Sequence, residues 1–148
     1  MAGFGFSVVL LSVVNAGLAS KGLKTSLVMM MAFFSGGLCQ LIAGQWAFKL
    51  NEIFPATAFN AYGAFWEIFA FWLLLDQMGL VGEPSGTGVA WFMMLWALFS
   101  FLMWINSFYH SWNLVGFFGT LWALFFILGI HYIVESTLIL RIGGIVGI

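Results

Sequence analysis

Four positions in one apolar segment could do chemistry together. Thr57, Asn60, Ala64 and Glu67 are spaced three, four and three, which on a helix makes one stripe carrying a hydroxyl, an amide and a carboxyl. The hydroxyl and amide can form hydrogen bonds, and the carboxyl can carry a proton. At about 100° per residue, Tyr62, Phe65, Trp66 and Phe69 take the opposite side. A carboxylate in the middle of an apolar segment is costly, which leaves two readings of Glu67. It is a functional group in a polar pathway, or it is a hydrogen-bonded residue at a subunit interface.

Other polar groups are fewer. Gly37, Gln40 and Gly44 share a face of the preceding segment, where small residues allow close helix approach. Gln40 there either closes a helix contact or lines a pore. Asn15 shares a face with Phe4, and Ser100 aligns with Ser107. His110 falls in a short polar link and is expected to be solvated. His131 lies in an aromatic run and reads as a packing residue, although an imidazole can titrate near neutrality. The sequence has no HExxH, no GxSxG, no histidine pair at metal-ligand spacing and no glycine-rich loop placed to hold a phosphate. An enzyme, a cofactor and a bound metal are therefore not expected.

The elements that must position these groups follow from composition. Of 148 residues, 64% are hydrophobic and 6% are charged, and the mean hydropathy is +1.10. A soluble domain carries about 25% charged residues to cover its surface, so a free soluble globule and a disordered chain are both excluded. A net charge of −1 excludes a nucleic-acid binder, which needs a concentrated basic face. Cys39 is the single cysteine and forms no internal disulfide. The chain reads as an all-α membrane protein whose partner is the lipid bilayer. Its runs are continuously apolar and lack the in-and-out alternation of barrel strands.

A crossing helix takes about 20 apolar residues, and the charges and prolines divide the chain into six. The expected spans are about 2–20, 25–48, 56–75, 89–108, 114–134 and a partial 136–148, all in one transmembrane domain spanning residues 1–148. Pro55 suits the first turn of the third helix, and Glu83-Pro84-Ser85-Gly86 is a turn signal. The sixth span stops at Ile148 after too few residues to cross, so a trimmed C-terminus is expected. The first is no cleaved signal peptide, because Lys21 and Lys24 follow its apolar run instead of preceding it. Lys21 and Lys24 against Lys49, with Arg141 near a helix end, favour an external N-terminus by the positive-inside rule.

Two blocks carry a resemblance. The run Gly36-Gly37-Leu38-Cys39-Gln40-Leu41-Ile42-Ala43-Gly44, followed by Thr57-Ala58-Phe59-Asn60-Ala61-Tyr62-Gly63-Ala64-Phe65-Trp66, is similar to the acetate uptake transporter family. That family comprises the bacterial succinate–acetate permeases and their fungal acetate and ammonia-export relatives. Gly3-Phe4-Gly5, Leu10-Leu11 and Asn15 also fit its first helix. The resemblance implies a six-transmembrane-helix bundle, here with the last helix truncated, as the protomer of a hexameric ring with a pathway in each protomer. It implies passage of acetate and related small carboxylates, succinate in some members. It maps an apolar constriction onto Phe4, Tyr62 and Leu121, and polar positions onto Asn15, Gln40 and Thr57. It places both termini in the cytoplasm, against the lysine count, and takes precedence over it. Localisation in a bacterial or archaeal plasma membrane follows.

The chain also departs from the family. The N-terminal Asn-Pro-x-x-Leu-Gly-Leu signature is absent, which points to a trimmed or diverged start. Asn51-Glu52-Ile53-Phe54 stands where the family reads Gly-Asn-Thr-Phe, and Asn60 and Glu67 replace less polar residues. Since Tyr62 is assigned to the pore, the opposite stripe with Asn60 and Glu67 is assigned to a protomer interface. Were the stripe to line the pore, Glu67 would become the proton-coupling group of a symporter. Two further readings stay open: a neutral-solute channel for urea or ammonia, and a non-transporting membrane subunit.

Overall fold

A computed structural model describes residues 2–20, 22, 24–82 and 85–148, with the side chains of Lys24 and Thr25 left aside. Long apolar runs in lipid find no water for their backbone polar groups, so each closes its hydrogen bonds within itself as a helix. Among the described residues there are six helices and no strand. They are α1 (Ala2–Asn15), α2 (Ser26–Lys49), α3 (Ile53–Gln77), α4 (Gly86–Ser107), α5 (Trp112–Val134) and α6 (Thr137–Val146). The helices α2 to α5 are each long and apolar enough to cross a membrane, and α1 and α6 are shorter. Large side chains such as Trp46, Phe71, Trp91 and Leu95 are exposed. An apolar surface of that extent has lipid as its solvent. The chain is a multi-pass membrane protein.

Local chemistry sets the helix ends. The first helix stops at Asn15, five residues short of the expected limit near Ser20, because Gly17 turns out of it with φ +80°. Pro55 is the third residue of α3, where its missing N–H leaves no hydrogen bond unmade. The Ser85 and Ser111 hydroxyls cap α4 and α5, accepting from Gly88 N–H at 3.1 Å and Leu114 N–H at 3.3 Å. At the other end of α5, Glu135 takes the left-handed conformation with φ 53°. The π-helical stretch Met31–Leu38 within α2 ends as the Gly36-Gly37 pair passes into regular helix at Cys39.

The helices form two compact units. The first holds α1, α2 and α3. The second holds α4, α5 and α6 with the Asn15–Leu18 turn. In the second unit Trp104 and Trp122 stack with centroids 5.5 Å apart, and a Cβ at Gly119 would come within 2.9 Å of the Trp104 indole nitrogen. Gly143 of α6 lies on Ile127 and Leu128 of α5, and Gly144 lies on the backbone of Asn15 and Ala16. Missing side chains thus set how closely these elements approach, as usual for helices in a membrane.

Candidate functional site

The first unit carries the polar and aromatic groups that the sequence singled out. Its helices meet through glycines. A Cβ at Gly3 of α1 would stand 2.8 Å from the Ser35 hydroxyl of α2, and one at Gly36 would stand 2.7 Å from the Trp66 ring of α3. Between α2 and α3 the pairs are Gly36 with Trp66, Gly37 with Glu67, Leu41 with Gly63, and Gly44 with Asn60. Residue numbers rise on one helix as they fall on the other, so the two run antiparallel. Each glycine on α2 accepts a larger group from α3.

This register locates the polar stripe. The Glu67 carboxyl lies over Gly37, and the Asn60 amide lies over Gly44. The Asn60 amide nitrogen donates to the Ala56 carbonyl at 2.8 Å. Its carbonyl accepts from the Gln45 side chain, also at 2.8 Å. The stripe therefore has α2 of its own unit as a neighbour. Thr57 sits at the exposed end of the stripe, its hydroxyl donating to the Ile53 carbonyl at 2.8 Å. Gln45 was not anticipated from sequence.

The opposite face of α3 holds the aromatic set. Phe4 of α1 meets Tyr62 edge-on with ring centroids 5.4 Å apart, and meets Trp66 edge-on at 5.9 Å. All three are at most 2% exposed. Phe65 and Phe69 continue the cluster, their rings 5.3 and 5.9 Å from that of Trp66. Phe4 and Tyr62, two of the three expected constriction residues, are thus in ring contact. Leu121 lies on α5 in the second unit and is buried. Asn15 ends α1 and is half-buried.

Gln40 is buried on α2 at 4% exposure, one residue before Leu41 and so level with Gly63 of α3. Its carbonyl oxygen has no hydrogen-bond partner among the described residues, and neither has the Trp66 indole nitrogen. Leaving such a group dry costs about 1–3 kcal/mol. By contrast the buried Ser7 hydroxyl lies 3.0 Å from each of the Gly3 and Met31 carbonyls. The unmet polar groups therefore lie at the α2–α3 contact beside the aromatic set.

The chain is similar to proteins of known name. The chain is 30% identical to the succinate-acetate/proton symporter SatP of Escherichia coli strain K12, over 99% of this chain and 76% of that one. It is 32% identical to acetate permease A of Emericella nidulans, over 70% of this chain and 37% of that one. The solved structure of the bacterial acetate channel SatP superposes with a TM-score of 0.92 at 30% identity, covering 98% of this chain and 78% of that one. The family model matches residues 1–148, and the chain belongs to the GPR1/FUN34/yaaH family.

Proposed function

We propose that the protein carries acetate and related small carboxylates, succinate among them, across a plasma membrane. The pathway lies within each protomer of a homohexamer, in one transmembrane domain with both termini in the cytoplasm. The observation that carries this reading is the likeness to the acetate channel over 98% of the chain. The Phe4–Tyr62 pair supplies an apolar neck, and the resemblance assigns Leu121 to the same constriction. Asn15, Gln40 and Thr57 supply amide and hydroxyl donors for the carboxylate.

The physics of passage suits this set. Taking a carboxylate out of water costs several kcal/mol even after relaxation. A lysine or arginine would offset that cost but would hold the ion, and conduction needs sites weak enough to leave. Among the described helices, α1, α3, α4 and α5 carry no Lys or Arg, Lys49 is the last residue of α2, and Arg141 lies within the short α6 beside Gly17. Hydrogen bonds to a charged group contribute about 1.5–3 kcal/mol each. Two or three donors in sequence therefore make entry affordable without a trap. A neck of aromatic and aliphatic side chains passes a methyl-bearing ion and resists free water.

A second reading has its own observation. Glu67 is the one carboxyl in mid-span, and a symporter needs a protonatable group. The reading preferred here is the channel, because Glu67 lies on the face away from Tyr62. The test is uptake of labelled acetate by proteoliposomes with and without a pH gradient. Downhill flux alone supports the channel, concentrative uptake driven by the gradient supports the symporter, and no flux refutes acetate transport.

A further inference from the structure

The Trp66 indole is buried deeper than any other tryptophan in the chain, at 1% exposure, yet its N–H finds no acceptor among the described residues. Packing alone does not require that group. The rings of Phe4, Phe65 and Phe69 and the bare Gly36 backbone surround the indole, and a phenylalanine would meet them without an orphaned donor. Ser7 Oγ and the indole Cδ1 are both 2.9 Å from the position a Cβ would take at Gly36; that hydroxyl donates toward the Gly3 and Met31 carbonyls, and its lone pairs take no hydrogen bond from the indole N–H.

An indole N–H donates and cannot accept, so its missing partner is an acceptor. Gln40 stands about one turn away on the facing helix, also with an unpartnered polar atom, and its amide can offer either end. Phe4 and Tyr62 adjoin on the apolar side. We propose that the Trp66 indole N–H is a hydrogen-bond donor to the carboxylate of the permeating ion, holding it beside the Phe4–Tyr62 neck with its methyl group toward the rings. This rests on the acetate reading above and adds to it a specificity residue. The donor carries no net charge, so it orients the ion without retaining it. A chloride ion offers no flat two-oxygen acceptor and no methyl group, and it gains less from the same place.

The test uses the full chain, assembled in nanodiscs and proteoliposomes, with 15N-labelled indoles. Acetate is titrated at constant ionic strength against chloride. The Trp66 indole resonance, assigned by its absence from Trp66→Phe or Trp66→Tyr, is expected to shift downfield and saturate with acetate. The exposed Trp91 serves as the internal reference. In Trp66→Phe the half-saturating acetate concentration for flux is expected to rise about tenfold, as for loss of one hydrogen bond to a charged group. Intact wild-type flux with an indole unmoved by acetate overturns the proposal alone, since the donor then serves a structural water. An unchanged half-saturation in an assembled Trp66→Phe also overturns it. Where that variant fails to assemble, the wild-type titration decides. Absence of wild-type acetate flux overturns the acetate reading and this proposal with it.

Discussion

The Gln45 side chain of α2 donates to the Asn60 carbonyl of α3 at 2.8 Å, beside the point where Gly44 admits the Asn60 amide. Glycine and glutamine act together here: the first lets the helices approach, and the second uses the approach to satisfy an amide that lipid would leave dry. Such bonds in membrane bundles contribute about 0.6 kcal/mol on average, with a ceiling of about 1.7. A double-mutant cycle over Gln45→Ala and Asn60→Ala is expected to return a coupling energy in that range when unfolding is followed in bicelles. A coupling indistinguishable from zero would show that the bond adds nothing to the contact.

Gly36 is the tighter constraint. A methyl group there meets the Trp66 ring at 2.7 Å and the Ser7 hydroxyl at 2.9 Å, and neighbouring rings pin that indole. Overpacking of this kind costs about 1–3 kcal/mol, so Gly36→Ala is expected to lower stability by that amount. Gly144→Ala, which meets the backbone of Ala16, should behave alike. Gly5 and Gly116 face open space, and alanine there should be neutral or stabilise by a few tenths to about 1 kcal/mol through helix propensity. Equal losses at all four positions, measured by thermal unfolding in detergent, would sink the distinction.

These contacts mark what was legible in the sequence. Helix identity was, because a continuously apolar run without strand alternation closes its hydrogen bonds as a helix in lipid and most of the charged residues stand between runs. The spacing of Gly37, Gln40 and Gly44 also announced a close-packed face. Its partner was harder to see. Spacing alone refers the stripe of Asn60 and Glu67 to a neighbouring protomer or to a pore, and it does not reveal that both side chains also pack on the glycine face of α2. Helical spacing gives the angle of a residue around its own axis, but the axial register of two helices is fixed only by packing. Gln45 was missed for that reason, since adjacency to Gly44 says nothing about which amide lies opposite. Spacing alone does not separate Trp66 from Phe65 and Phe69 on the same side of the helix, because burial decides whether an indole N–H is satisfied by water or left without it.

The neck yields a selectivity prediction. Leu121 is buried on α5, and the family resemblance assigns it to the constriction with Phe4 and Tyr62. Truncating a leucine removes three methylene-sized groups, so if Leu121 lines that proposed constriction, Leu121→Ala is expected to admit larger carboxylates. The lactate-to-acetate flux ratio should rise about tenfold, the lower end of the range of about 10–200 that one methylene decides in a tight apolar pocket. An unchanged ratio, with acetate flux intact, would remove Leu121 from the neck.

Glu67 decides between the two transport mechanisms. Its carboxyl lies over Gly37 on the side of α3 away from Tyr62, so an ion at the Phe4–Tyr62 pair does not need it. Glutamine has nearly the same shape and keeps the hydrogen-bonding ends, but it cannot release or take up a proton. It should fit over Gly37 without repacking. A carboxylate at the centre of a span costs about 2.5–3.5 kcal/mol on insertion scales, so Glu67→Gln is also expected to assemble at least as well as the parent. Under the channel reading, this variant keeps its downhill acetate flux and neither protein accumulates acetate against a gradient. Flux into proteoliposomes with an imposed pH gradient makes the comparison. Gradient-driven accumulation in the parent, lost in Glu67→Gln while downhill flux persists, would overturn the channel and make Glu67 the proton-carrying group.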